Sequence, residues 1–264
     1  TAALIAEGWD SNRLLLITFT RRSAEELKRR VHELTGGGTL PWCGTFHAVG
    51  AKLLRRYGAV VGVPRSYSIL DQSDSTDLFG ALIREHIPKE RRNHFPSKSV
   101  LNAISSYRTN TCQELSETLA ARWPAWEGEH DEIRELIAAY EQRKQDAQAL
   151  DYDDLLVKWR DLWSFTPRAV PPLFDAVMVD EYQDTNRLQA QLLEHLKADT
   201  GNVVVVGDDA QAIYGFRGAT VRNLFEFGDM FDRVTPFRLE HNYRSTSEIL
   251  DSANALMEEA GEGF

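Results

Sequence analysis

Residues Phe174 to Gln189 read FDAVMVDEYQDTNRLQ. The apolar, β-branched run Ala176 to Val179 passes directly into two adjacent acids, Asp180 and Glu181. That pattern predicts a buried parallel strand delivering carboxylates to the C-terminal edge of a sheet, where open α/β proteins bind ligands. Adjacent side chains on a strand point to opposite faces, so the two acids can take different jobs. In a nucleotide hydrolase one acid serves Mg²⁺, a hard cation that keeps much of its hydration. The other orients and deprotonates the attacking water. The plainer alternative is a strand ending in an exposed acidic turn, which Val-Asp-Glu alone leaves open. The longer string is more specific.

Outward from this stretch, the chain alternates β-type and α-type segments at both ends. Leu14 to Thr18 is a short apolar run suited to a second buried strand, and Val203 to Val206 to a third. Ser23-Ala-Glu-Glu26 is a capping-box pattern opening a charged helix to about Leu34, closed by Gly36 to Gly38. Thr45 to Tyr57 reads as another helix, and Leu188, Leu192, Leu193 and Leu196 mark an amphipathic one between two strands. From Asp71 to Trp163 the pattern is helical, with stripes at Leu78, Leu82 and Ile83 and at Ile133, Leu136, Ile137 and Tyr140. No strand stands out there. The architecture predicted is an α/β domain with a parallel sheet, interrupted by an inserted helical domain.

The 264 residues suffice for one large or two ordinary domains, and 42% hydrophobic with 27% charged residues is globular composition. No stretch approaches the roughly 20 apolar residues of a membrane span, and the first residues carry no secretory pattern. Cys43 and Cys112 suit neither a disulfide framework nor a metal motif, and read as two buried thiols of a cytoplasmic protein. A net charge of −10 argues weakly against nucleic acid, because phosphate contacts depend on local charge. Arg21, Arg22, Lys28, Arg29 and Arg30 cluster early, then Lys52, Arg55 and Arg56, then Lys89, Arg91, Arg92 and Lys98. Each cluster by itself reads as a solvated helix face.

VDEYQDTNRLQ resembles motif II of superfamily 1 DNA helicases of the UvrD/PcrA/Rep type, and it has company in the family's order. Leu16-Ile-Thr-Phe-Thr20 with Arg22, Ser23, Ala24 and Glu26 resembles motif Ia, and Gly44-Thr-Phe-His47 the next DNA-side motif. Leu150-Asp-Tyr-Asp-Asp-Leu-Leu156 is similar to the family's LDFDDLL element. Val206 to Ala219, VGDDAQAIYGFRGA, resembles motif III, and Asn242-Tyr-Arg-Ser-Thr246 motif IV.

The resemblance implies an ATP-dependent 3′-to-5′ helicase of DNA repair or recombination, bacterial, cytoplasmic and nucleoid-associated. It implies a RecA-like core at 1–70 and 165–264, whose last residues enter a second lobe, with a helical insertion at 71–164. ATP and Mg²⁺ are the implied cofactors, and single-stranded and junction DNA the implied partners. Asp180 is assigned to Mg²⁺, Glu181 to the catalytic water, Gln211 to sensing the γ-phosphate, Tyr243 to stacking on adenine and Arg244 to the γ-phosphate. Phe19, Tyr214 and Phe216 are assigned to base stacking, with Thr18, Thr45, His47 and Arg217 as contacts along the strand. Core packing is the plainer role for Phe19, and a structural hydrogen bond for His47.

Two departures stand out: Ala210 and Ala212 flank Gln211 where the family has Asp-Gln-Ser, and Phe216 replaces a frequent tryptophan. No glycine-rich turn ending in Lys-Ser/Thr occurs in these residues. The resemblance places that phosphate loop immediately before Thr1, itself a candidate Mg²⁺ ligand, and implies that these 264 residues alone neither hydrolyse ATP nor unwind DNA. Two other readings stay open: the helicase part of a RecB/AddA-like helicase–nuclease, and a binding module whose ATPase has decayed.

Overall fold

The apolar runs form one parallel sheet, in a computed structural model that describes residues 1–164, 172–231 and 233–259, without the side chains of 197–200 and 258–259. In chain order the strands are β1 (Leu14–Ile17), β2 (Trp42–Gly44), β3 (Ser68–Ile69), β4 (Ala149–Leu150), β5 (Ala176–Val179) and β6 (Val203–Val205). The sheet runs β2-β1-β5-β6, every pair parallel. All its C-termini therefore lie on one edge. At the opposite edge Arg13 grips Asp175 through two bonds of 2.7 and 2.6 Å, just ahead of β1 and β5.

Helix α1 (Ala2–Ala6) precedes β1, α2 (Arg21–Leu34) and α3 (Phe46–Tyr57) separate the first strands, and α4 (Gln72–His86), α5 (Lys98–Thr111), α6 (Leu115–Arg122) and α7 (His130–Asp146) lie between β3 and β4. Then come α8 (Tyr152–Ser164), α9 (Arg187–Thr200), α10 (Arg222–Phe225), α11 (Phe227–Met230) and α12 (Ser247–Glu259). The predicted leucines of α9 are all buried, because their spacing turns one face toward the sheet. Phe79, Leu82, Leu101, Ile104, Leu119, Ile133 and Tyr140 make a separate core among α4 to α7.

The packing departs from the sequence reading in several places. Leu155, Leu156, Trp159 and Leu162 of α8 join the sheet-side core with Phe46, Leu53 and Leu54 of α3, rather than the helical cluster. The two helices approach so closely that a Cβ on Gly50 would sit 3.1 Å from the Leu155 carbonyl oxygen. β4, which pairs in parallel with β3, lies in the stretch where no strand was expected, since two residues are too short to show alternation. The predicted return to the α/β region at 165 lies outside the described residues, as do 260–264.

The cap of α2 is Thr20, whose hydroxyl accepts from the Ser23 amide at 3.0 Å, so the Ser23–Glu26 capping box is not formed. Glu26 instead binds Arg29 and Arg30, each at 2.7 Å. Cys112 is exposed, not buried, at the left-handed end of α5, whereas Cys43 is buried; both thiols are free.

Candidate functional site

β5 ends at Val179, and the Asp180 amide is held by the Ile17 carbonyl at 2.9 Å, which places the Asp180 carboxylate between the ends of β1 and β5. Its Oδ2 lies 3.5 Å from the hydroxyl of buried Thr18. Glu181 takes φ 55° and ψ 45°, a left-handed conformation that L side chains adopt at a cost of order 1–3 kcal/mol. Glu181 thus leaves the extended geometry on which strand alternation depends, and the two acids meet different partners, Thr18 and Gln183. The turn lets the Tyr182 amide reach the Val206 carbonyl at 2.9 Å and buries the Tyr182 ring against Phe227.

Burial first, and then the neighbouring Glu181 charge, push the Asp180 carboxyl above its ordinary pKa; the same two influences, in the same order, raise Asp184. Among the described residues no cation influences either acid, and the Asp184 Oδ1 is buried without a partner. The site holds more negative charge than its own donors compensate.

Gln183 was quoted in the motif but assigned no role by sequence reasoning. Its Nε2 donates to Glu181 Oε2 at 2.7 Å and its Oε1 accepts from the Asp208 amide at 3.1 Å. Gln211 donates to Asp208 Oδ2 at 2.7 Å, so it stands two residues away from the acid pair, through Asp208 and Gln183, rather than on it.

Beyond β1 and β6 the structure gathers the aromatic residues. Phe19 and Tyr214 lie 4.7 Å apart and Tyr214 and Phe216 6.0 Å apart, with the Arg217 guanidinium 5.3 and 5.4 Å from the Tyr214 and Phe216 rings. Phe19 is half-buried and Phe216 62% exposed, so core packing accounts for neither in full.

Thr45 caps α3 by accepting from the Ala48 amide at 3.2 Å. His47 packs edge-on against Tyr152, and burial, with help from Arg21 and against Asp151, pushes its pKa down to about 4. At neutral pH it is an uncharged imidazole, not a cation for a phosphate.

Other expected residues are not brought together. The Thr1 hydroxyl rests on the Met178 sulfur at 2.9 Å rather than on Asp180. Tyr243 is 94% exposed, and the Asn242 side chain accepts from the backbone amides of Arg244 and Ser245. Among the described residues no hydrogen bond, ion pair or ring contact joins Tyr243 or Arg244 to Asp180 or Glu181.

The basic clusters sort themselves too. Arg91 pairs with Glu132, Lys98 with Asp77, and Arg92 donates to the carbonyls of Arg84 and Ile87 at the end of α4. Arg21 and Arg22, next to Phe19, are exposed and have no ion pair among the described residues.

The LDYDDLL stretch forms a second acidic group. Asp151 and Asp154 exchange backbone and side-chain bonds as a capping box, a D-x-x-D signal legible in the sequence, and share the buried Lys144 ammonium. Asn110 joins Asp153 at 2.8 Å to Asn186 at 2.7 Å, a bridge that no local pattern announces.

Residues 1–232 match the family described as the UvrD/REP helicase N-terminal domain. The chain is similar to DNA helicase II of Escherichia coli (strain K12), 34% identical over 256 residues that cover 93% of this chain and 34% of that protein. It is similar to the ATP-dependent DNA helicase PcrA of Bacillus subtilis (strain 168), 33% identical over 249 residues, 92% of this chain and 33% of the relative. The chain spans about a third of the length of these curated relatives.

Proposed function

Because the chain belongs to the UvrD/REP helicase N-terminal domain family, we propose that it forms the first lobe of an ATP-dependent helicase moving 3′ to 5′ along single-stranded DNA in repair or recombination. One observation carries this reading: a single edge of one parallel sheet bears both an uncompensated carboxylate pair and an open row of aromatic rings. In this reading nucleotide chemistry and strand binding lie side by side.

The donor set fits Mg²⁺. No group of three His, Cys, Asp or Glu able to hold a metal occurs among the described residues, so an ion at Asp180 draws its other ligands from water, hydroxyls and nucleotide oxygens. That is the coordination Mg²⁺ prefers. Bound there, it would neutralise charge on the phosphates and the acid pair. Glu181 acts as base toward the attacking water, held in orientation by Gln183. Gln211, through Asp208, is the sensor of the γ-phosphate. Tyr243 and Arg244 serve the nucleotide once a second lobe positions them, and Thr1 joins the metal site once a phosphate loop does.

On the strand side, bases stack on Phe19, Tyr214 and Phe216, each contact worth roughly 1–3 kcal/mol. Arg217 and the unpaired Arg21 and Arg22 face the phosphates. Thr18 and Thr45 stand at the ends of β1 and β2 along the same track. We assign residues 72–147 to the helical insertion and α8 to the sheet-bearing lobe, on the strength of the two cores. No helix among the described residues is long and apolar enough to cross a membrane.

The test is ATP hydrolysis by the full-length polypeptide with and without single-stranded DNA. Turnover stimulated by the DNA is expected, and Glu181→Gln is expected to lower kcat by about 10²–10⁴-fold. Phe216→Ala is expected to weaken single-strand affinity by roughly 1–3 kcal/mol without changing basal hydrolysis. A full-length protein with no DNA-stimulated turnover would overturn the reading. The 264-residue chain alone is expected to be inactive.

A further inference from the structure

Gln183 is 1% exposed, yet neither end of its amide is idle. The Nε2 end holds the Glu181 carboxylate at 2.7 Å, and the Oε1 end holds the Asp208 amide at 3.1 Å. A residue that must donate to a carboxylate and accept from a backbone amide at once has to be a neutral amide. Glutamate at neutral pH cannot donate and methionine can do neither effectively. The close fit is visible from the other side: a Cβ on Gly207 would lie 2.8 Å from Gln183 Oε1 and 3.3 Å from its backbone nitrogen.

Gln183 also lines a cavity of about 230 Å³ together with Ala212, Tyr214, Gly215, Thr220 and Val221. Tyr214 is the central ring of the aromatic row. The cavity is open to solvent, so the otherwise buried glutamine borders accessible space on the side of the loop that carries the rings. One buried side chain thus touches the hydrolytic acid, the start of the loop holding Gln211, and the space beneath the strand-facing tyrosine.

We infer that Gln183 is a positioning residue that couples occupancy of the aromatic row to the orientation of Glu181. This inference rests on the function proposed above. A base stacked on Tyr214 shifts the 207–221 loop against the cavity, the Asp208 amide moves with it, and the Gln183 amide carries that displacement to the Glu181 carboxylate. The base is aligned for water only when the strand is in place, which is how DNA would stimulate hydrolysis.

The experiment compares the full-length protein with its Gln183→Met and Gln183→Glu variants, using ATP, Mg²⁺ and a poly-dT oligonucleotide. Both substitutions are expected to lower DNA-stimulated kcat by about 10–100-fold, a fraction of the whole general-base contribution. The KM for ATP and the oligonucleotide Kd are expected to stay within about threefold while the ratio of DNA-stimulated to basal rate falls, with Tm within a few degrees, the size of a modest stability change. A purely structural role would move Tm or Kd along with kcat. Should Gln183→Met unfold, Gly207→Ala displaces the same amide without removing it and is expected to give the same loss of stimulation. Wild-type stimulation retained within about twofold in these variants, or lost in step with DNA affinity, overturns the inference while leaving the proposed function standing. A wild-type protein without stimulated turnover overturns both.

Discussion

At the start of α8, Asp151 and Asp154 lie 2.7 and 2.6 Å from the Lys144 ammonium, and the Tyr140 hydroxyl donates to Asp151 at 2.8 Å. At the end of β5, Asp180 and Glu181 have one threonine hydroxyl at 3.5 Å and one glutamine amide at 2.7 Å, and among the described residues no cation. Both groups are drawn away from water, and the contrast lies in what compensates them. Burial alone would lower the Lys144 pKa, but Asp151, Asp154 and Glu141 overcome it and hold the ammonium above its usual range. Burial likewise opposes Asp151, and Lys144 prevails, keeping that carboxyl below its ordinary value. The first group shares an internal cation, which holds Asp151 down while burial and Asp151 still push Asp154 up to about 7, and it fastens the end of α7 to the start of α8. The second has no such cation among the described residues, which is what the proposed divalent-cation and nucleotide site requires. Acidity by itself distinguishes nothing; the partner set does.

Removing the internal cation tests that contrast most severely. Lys144→Met strands two carboxylates and is expected to cost about 3–5 kcal/mol in urea unfolding at pH 8. The loss shrinks toward pH 5 as the stranded acids take up protons. A cost below about 1 kcal/mol would dissolve the distinction between the two groups.

Asp153 gives a smaller, pH-dependent effect. Burial and then Asp151 push its carboxyl up to about 6, with Ser106, Asn110 and Lys144 opposing. A folded pKa above the unfolded value of 3.8 means that this stabilisation is complete below about 4 and is lost as pH rises through 6. Asp153→Asn keeps an oxygen for Asn110 and removes the titration. It is expected to gain on the order of 1–2 kcal/mol at pH 8 relative to wild type and nothing at pH 4. An unchanged stability–pH curve would show that Asp153 is well solvated.

The smallest effect belongs to Asp180, whose carboxyl is also raised, so its stabilisation too is present at low pH and lost on ionisation. Asp180→Asn is expected to leave the fold intact or stabilise it by a few tenths of a kcal/mol without metal. Millimolar Mg²⁺ is expected to raise the wild-type Tm and not that of the variant. Equal Mg²⁺ effects on both would place the ion elsewhere.

Much of this was legible from local chemistry. The runs at Leu14, Ala176 and Val203 are strands because short β-branched apolar segments suit a buried parallel sheet. The helices at Thr45 and Leu188 follow from cap chemistry and 3.6-residue spacing, and the acids stand at a strand end as VDEYQ announces. Less legible was the start of α2, where Thr20 and Ser23 compete for the cap and Glu26 prefers two arginines. The placement of α8 was also hidden, since its apolar stripe suits either core and only the close approach at Gly50 selects the sheet side.

The sequence by itself determined which residues sit at strand ends and helix caps, because those depend on neighbours a few positions apart. It determined the family through motifs whose order survives along the chain. Only the tertiary structure decided which acids would share a cation, because the turn through β4 brings Lys144 onto Asp151, whereas among the described residues nothing cationic is folded onto Asp180. Only it decided that Phe19 meets Tyr214 across nearly the whole chain, and that Gln183 joins the acid pair to that row. Charge compensation and ring contact act over a few ångströms of space, and distance along the chain carries no record of that.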